Sequence, residues 1–340
     1  MTREKVAELI KLKTIFQAPM AGVTTPQLVS EVSNQGGIGN IGAGYLTAKQ
    51  TQDFIDQVKM KTDYIFGINV FVPEVNELRE IDFQHAKQKL KELAPAYAKE
   101  IPEEIETSHM FVEQINIIME KCVPIVSFTF GLPDIKTIQQ LKQAGSYVIG
   151  TATTVKEAIE VEKSGCDAVI VQGFEAGGHR GTFLDDKSLI GLFSLLPQVA
   201  DAVKIPIIAA GGIMDRRGVK AAYCLGASSV QLGTAFLMTH ESSADDLHKT
   251  TLLNSDETDT VLTKAFSGKL ARGINNEFIK KYKHETKNIL PYPFQNSLTK
   301  NMRALAKQQN DKSFMSLWAG QSVRLSKKQS VKELMNELKK

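Results

Sequence analysis

The stretch VQGFEAGGHRG, residues 171–181, places His179 among glycines. An apolar run stops at Gln172, and Gly173, Gly177, Gly178 and Gly181 follow, interrupted by Glu175, His179 and Arg180. With little apolar packing nearby in sequence, this histidine suits an acid, a base or a hydrogen-bond donor to an anion. The alternative is a histidine that orders its loop by bonding backbone. Two more glycine stretches are AAGGI (209–213) and QLGTAF (231–236). At Gly211, Gly212 and Gly233 the lack of a Cβ lets backbone N–H groups approach an anion closely. A single glycine pair is explained by a tight turn. Two sets, each closing a short apolar run, favour a phosphate cradle.

Positioning these residues requires an ordered framework, and the chain supplies one. Short apolar runs recur at IFQAPM (15–20), IGNIG (38–42), YIFGINVF (64–71), PIVSFTF (124–130), YVIGTAT (147–153), AVIVQG (168–173), IPIIAAGG (205–212) and SVQLGTAF (229–236). Most lack polar alternation, as parallel strands buried on both faces do. Helical patterns separate them. Thr25 followed by Pro26 is a helix start. Thr47 with Gln50, and Thr154 with Glu157, have capping-box spacing. Asp215 caps a helix ending near Gly226, and the helices over 134–145 and 154–165 stop at Gly145 and Gly165. Eight β–α units in a row predict a closed (β/α)8 TIM barrel, with a doubly wound open sheet as the alternative.

Two segments fall outside the count. Residues 73–108 are charged, carry three prolines and predict a helical insertion after strand three. Residues 240–340 form a C-terminal helical extension expected to pack on the barrel mouth. The barrel itself spans 1–239.

In such a barrel, chemistry gathers at the C-terminal ends of the strands. Those ends supply Met20, Gly22, Asn69, Ser127, Thr129, Gln172, Gly211, Gly212, Gln231, Gly233 and Thr234. The set consists mostly of amides, hydroxyls and glycines, without an acid pair. It suits neutral hydrogen bonds to a planar heterocycle and its phosphate. Ser127 has no adjacent base and no strand–elbow–helix glycine pattern, so it reads as a ligand donor or a plain strand residue. The glycines of 36–44 do not form a G-x-G-x-x-G that follows a strand, and no acidic residue closes a second strand nearby, so they read as a turn into strand two.

Several classes are excluded. Forty-one basic and 38 acidic side chains leave a formal charge of only +3, which argues against nucleic acid or an anionic membrane as the main partner. No stretch is long and apolar enough to span a bilayer, and the N-terminus lacks the marks of a secretory signal. Cys122, Cys166 and Cys224 are scattered singly and read as reduced core residues of a cytoplasmic protein. No metal-ligand spacing occurs. The histidines other than His179 (His85, His109, His240, His248 and His284) lie in charged helical contexts and read as surface residues.

Taken in order, QAPMAGVTTP (17–26), GGIGNIGAG (36–44), GINVFVP (67–73), SFTFGLP (127–133), QGFEAGGHRG (172–181), AAGGI, QLGTAF, AFSGKLARG (265–273) and LWAGQ (317–321) resemble the nitronate monooxygenases, formerly called 2-nitropropane dioxygenases. SFTFGLP is the most discriminating. The resemblance implies FMN at the strand mouth, held by Asn69, Gln172, Gly177, Gly212, Gln231, Gly233 and Thr234, with Met20 and Gly22 beside the isoalloxazine and Gly211 in the phosphate loop. It implies that His179 is catalytic, and that an alkyl nitronate such as propionate 3-nitronate reacts with O2 to give a carbonyl compound and nitrite. The nearest rival is an FMN-dependent enoyl-thioester reductase using NAD(P)H, which shares the EAGGHRG pattern. An inosine-monophosphate-dehydrogenase-like barrel lacks its cysteine loop here. A non-catalytic flavin-binding protein, or a barrel for a phosphorylated metabolite, is the alternative of another class. Glu175 and Arg180 are expected to brace the loop.

Overall fold

The computed structural model describes residues 3–12, 14–74, 76–105 and 110–339. Eight parallel strands form one sheet: Ile15–Gln17, Gly39–Gly42, Phe66–Phe71, Ile125–Thr129, Tyr147–Ala152, Ala168–Gln172, Ile207–Ala210 and Ser229–Leu232. The eighth strand pairs with the first. A parallel bridge between Phe16 and Ile38 joins the first to the second, so the sheet closes into a (β/α)8 barrel and the open-sheet alternative falls. Six of the eight sequence runs extend past their strands, and those last residues leave the ladder at the mouth, whereas the second and third runs end with their strands at Gly42 and Phe71.

Alternation along each strand builds two apolar layers. Phe16, Ile125, Ile149, Ile170 and Ile208 pack with one another inside the barrel. Ile68, Val126, Val148, Val169 and Val230 pack outward against the helices. The N-terminal helix Arg3–Lys11 contributes Val6 and Ile10 to the inner layer. The Ser229 hydroxyl donates to the Ile10 carbonyl at 2.9 Å, fixing this helix to the barrel.

The predicted starts at Thr25, Asp134 and Asp215 carry their caps. Thr47 and Gln50 close a full capping box. At Thr154 only half of the box forms: the Glu157 N–H donates to the Thr154 hydroxyl, but the Glu157 carboxylate points elsewhere, as described below. Two cysteine expectations are corrected. Cys166 is buried, whereas Cys122 and Cys224 are exposed at helix ends, where no core covers them.

The insertion holds a helix, Glu80–Leu93, and a 3-10 turn, Pro95–Glu100. Residues 75 and 106–108 of the expected insertion lie outside the described residues. Phe83, Leu90 and Tyr97 share a core with Phe266, Phe278, Leu298 and Met302 of the C-terminal segment. That segment is not purely helical. Thr260–Thr263 and Ala271–Ile274 form an antiparallel pair that takes Gly178–His179 as its third strand. Its last helix, Val331–Lys339, buries Val331, Leu334, Met335 and Leu338 in the outer barrel layer. Among the described residues no helix is long and apolar enough to cross a membrane.

Candidate functional site

A cavity of about 740 Å³ opens at the C-terminal ends of the strands. Its wall includes Met20, Gly22, Asn69, Gln172, Gly177, His179, Gly211, Gly212, Gln231, Gly233 and Thr234. Residues spread over more than two hundred positions therefore meet at one place, because eight parallel strands all end there.

The side chains in this wall are engaged differently. Asn69 Nδ2 donates to Ser127 Oγ at 2.9 Å and to Thr129 Oγ1 at 3.0 Å. Ser127 is thus a strand residue that orients Asn69. Gln172 clasps the loop above it: Nε2 donates to the His179 carbonyl at 3.1 Å, and Oε1 accepts from the Gly181 N–H at 2.8 Å. Gln231 makes no side-chain hydrogen bond among the described residues, so its amide stays available to a ligand. The N–H groups of Gly212, Gly233 and Thr234 likewise have no acceptor among the described residues.

Two glycines are required by geometry. Gly212 has φ +68, in the left-handed region. A Cβ on Gly177 would come within 2.5 Å of the Ala319 and Gly320 backbone, so only glycine lets the two chains pass.

His179 is held more firmly than its glycine-rich context suggests. It pairs with Ala271 in the small sheet, and the Arg180 N–H donates to the Leu270 carbonyl at 2.8 Å. Its ring lies 5.7 Å from Phe130, 5.6 Å from Trp318 and 6.4 Å from Tyr292, centroid to centroid. Nε2 is 2.8 Å from the Ser267 hydroxyl. Burial, then the positive charges of Arg303 and Lys269, push its pKa down to about 3, so the imidazole is neutral near pH 7. Lys269 Nζ sits 4.6 Å above the Phe130 ring and pairs with Glu74. Phe130 itself has φ +73, an uncommon conformation for a bulky residue.

The loop after strand six is anchored by a buried carboxylate. Glu157 accepts from the Thr153 N–H at 2.6 Å, the Thr153 hydroxyl at 2.7 Å, the Thr182 hydroxyl at 2.7 Å, the Phe183 N–H at 2.6 Å and the Leu184 N–H at 2.9 Å. This is why the second half of the predicted capping box is absent. Arg180 and Glu175 brace the same loop: Arg180 Nη2 donates to the carbonyls of Ser188 at 2.7 Å and Thr153 at 3.3 Å, and Glu175 accepts from the Leu192 N–H at 2.8 Å.

Of the histidines expected on the surface, His85, His240 and His284 are exposed, and His109 lies outside the described residues. His248 is a correction. It is buried, lines the cavity, and its Nε2 is 3.1 Å from the Trp318 carbonyl, because the extension folds back over it. Burial lowers its pKa to about 4. Sequence reasoning also missed Tyr45, Ser267, Tyr292, Arg303 and Trp318 in or beside this wall. Ser267 and Trp318 lie within AFSGKLARG and LWAGQ, so the signal for them was present. Tyr45, Tyr292 and Arg303 gave none.

Comparison with known proteins gives concordant results. The family model described as "Nitronate monooxygenase" matches residues 3–340. A probable nitronate monooxygenase of Staphylococcus aureus is 46% identical over 341 residues, covering 99% of this chain and 96% of that one. The solved nitroalkane oxidase of Streptomyces ansochromogenes is 39% identical with a TM-score of 0.89, covering 96% of this chain and 94% of the other. FabK from Thermotoga maritima is 29% identical with a TM-score of 0.75, covering 98% and 94%.

Proposed function

The chain belongs to the nitronate monooxygenase family, and we propose that it uses FMN to oxidise alkyl nitronates such as propionate 3-nitronate with O2, yielding a carbonyl compound and nitrite. Nitronate oxidation is the activity of the family. FMN, O2 and the residue roles are our own reading.

The donor set fits a phosphate-bearing planar cofactor. Gly212, Gly233 and Thr234 offer N–H groups without acceptors, suited to a phosphate. Gly211 opens the same loop, with φ +115. The unpaired Gln231 amide suits the edge of a heterocycle. Asn69 keeps a lone pair on Oδ1, and Gln172 keeps one N–H and a lone pair on Oε1, beyond their internal bonds. Gly177 allows close passage of the extension, and Met20 and Gly22 flank the remaining wall. Held by these groups, FMN would supply the electron-transfer chemistry between the nitronate and O2.

The observation that carries the proposal is a neutral, buried His179 facing the cavity with the charges of Lys269 and Arg303 beside it. The cations favour an anionic substrate. Nε2 is tied to Ser267, which leaves Nδ1 for the substrate. Ser267 has one proton and can serve either tautomer. When it donates to Nε2, Nδ1–H donates to a nitronate oxygen. When it donates to the Lys269 carbonyl, 3.1 Å away, it accepts Nε2–H instead, and Nδ1 is a base for the α-proton of a neutral nitroalkane.

A second reading, an enoyl-thioester reductase using NAD(P)H, has the likeness to FabK in its favour. It is the weaker one, since identity and TM-score are both higher for the nitroalkane oxidase. Aerobic incubation with propionate 3-nitronate tests the proposal. Nitrite and oxygen uptake are expected in proportion. Absence of nitrite with flavin bound would remove it and leave the reductase or a non-catalytic flavoprotein.

A further inference from the structure

The helix Phe294–Gln308 lines one side of the cavity with Asn296, Lys300, Arg303 and Lys307. Steps of four, three and four residues put these on one helical face. The charges along this wall do not balance. The two carboxylates lining the cavity are already engaged: Glu74 pairs with Lys269, and Asp245 lies 3.6 Å from Lys307. Arg303 has no carboxylate partner among the described residues. Its Nε donates to Thr299 Oγ1 at 3.1 Å, and its Nη2 to the Asn296 carbonyl at 3.0 Å and Oδ1 at 2.8 Å. Those neutral acceptors fix the guanidinium without neutralising it, and Nη1 has no partner among the described residues. Burial lowers its proton affinity, yet an arginine stays charged at any physiological pH. Its field reaches both His179 and the Tyr45 hydroxyl.

A half-buried, rigidly held, unpaired guanidinium is costly unless an anion completes it. His179 already attends the nitronate end of a substrate on the reading above, on which this inference rests, and Lys269 is held by Glu74. We propose that Arg303 is the specificity-determining residue of the cavity and binds a second anionic group, a carboxylate on the tail of the nitronate. Arginine suits this role because its planar fork matches a carboxylate. The enzyme therefore selects dianionic nitronates over uncharged-tail ones of the same shape.

The test compares propionate 3-nitronate with 3-methylbutyl-1-nitronate, in which an isopropyl group stands in place of the carboxylate, across the holoenzyme, Arg303→Met and Arg303→Lys. In Arg303→Met, KM for propionate 3-nitronate rises about ten- to a hundredfold. KM for the isopropyl analogue rises much less, since that substrate loses only the field of Arg303 at its nitronate end, so the ratio of the two KM values moves by about tenfold or more while flavin content is unchanged. Arg303→Lys recovers part of the lost affinity. Equal increases in KM for both nitronates, no change for either, or loss of flavin would overturn the proposal alone. A wild-type enzyme that oxidises neither nitronate would overturn the nitronate reading and this proposal with it.

Discussion

His179 Nε2 lies 2.8 Å from the hydroxyl of Ser267, a residue 88 positions further along the chain. The contact joins a loop of the barrel to the C-terminal segment and dedicates one ring nitrogen to the protein, leaving the other for chemistry.

Replacing His179 with Asn removes the titratable nitrogen and keeps a polar side chain of similar reach. Nitrite formation is expected to fall about a hundred- to ten-thousandfold, the usual range for a positioned acid or base, while the flavin spectrum stays intact. Unchanged turnover would take His179 out of the mechanism.

Ser267→Ala leaves Nε2 without its partner. Because Ser267 acts only through His179, kcat is expected to drop by about tenfold with KM for the nitronate little altered. The pH dependence with neutral nitroalkane should also shift. Ser267→Thr keeps the hydroxyl and should restore most of the rate.

Gly177→Ala forces a Cβ to within 2.5 Å of the Ala319 and Gly320 backbone. The extension must move away from the mouth, and the protein should be purified with much less flavin, read from the ratio of visible to ultraviolet absorbance. Full flavin occupancy in this variant would count against the close passage described here.

Glu157→Gln tests the anchor of the His179 loop. Five donors converge on one carboxylate, and a neutral amide cannot accept from all of them. The melting temperature should fall, corresponding to about 1–3 kcal/mol. Hydrogen exchange should rise first in residues 180–188.

Acid should destabilise the folded protein through its buried histidines. The folded-state pKa of His179 is lowered from 6.5 to about 3, and that of His248 to about 4. Below 6.5 the unfolded chain takes up protons that the folded chain refuses. Stability is thus full above 6.5 and is lost as pH falls from there towards 3 to 4. Each group costs up to about 1.4 kcal/mol per pH unit in that window. Thermal unfolding followed against pH should show a shallower acid slope in His248→Gln than in the wild type.

Much of this arrangement is legible in the chain because strand ends are. Runs such as AVIVQG and IPIIAAGG are apolar on both faces, so the architecture follows from counting them. Gln172, Gly211 and Gly212 then fall at the mouth by position. Residues on the C-terminal segment are different. Arg303 and Tyr292 reach the cavity only because Phe266, Phe278 and Leu298 form a second core with the insertion, and no local period encodes that docking. His248 reads as a surface residue for the same reason: its helix looks solvated until the extension covers it. Glu157 shows the opposite failure, a correct local spacing overridden by five tertiary donors.

The central claim is tested most directly by mixing the purified flavoprotein, without oxygen, with propionate 3-nitronate and, separately, with NADH. Rapid bleaching of the visible flavin band by the nitronate, with none or only slow bleaching by NADH, is the predicted result. Rapid bleaching by NADH and none by the nitronate would contradict the account and favour the enoyl-thioester reductase.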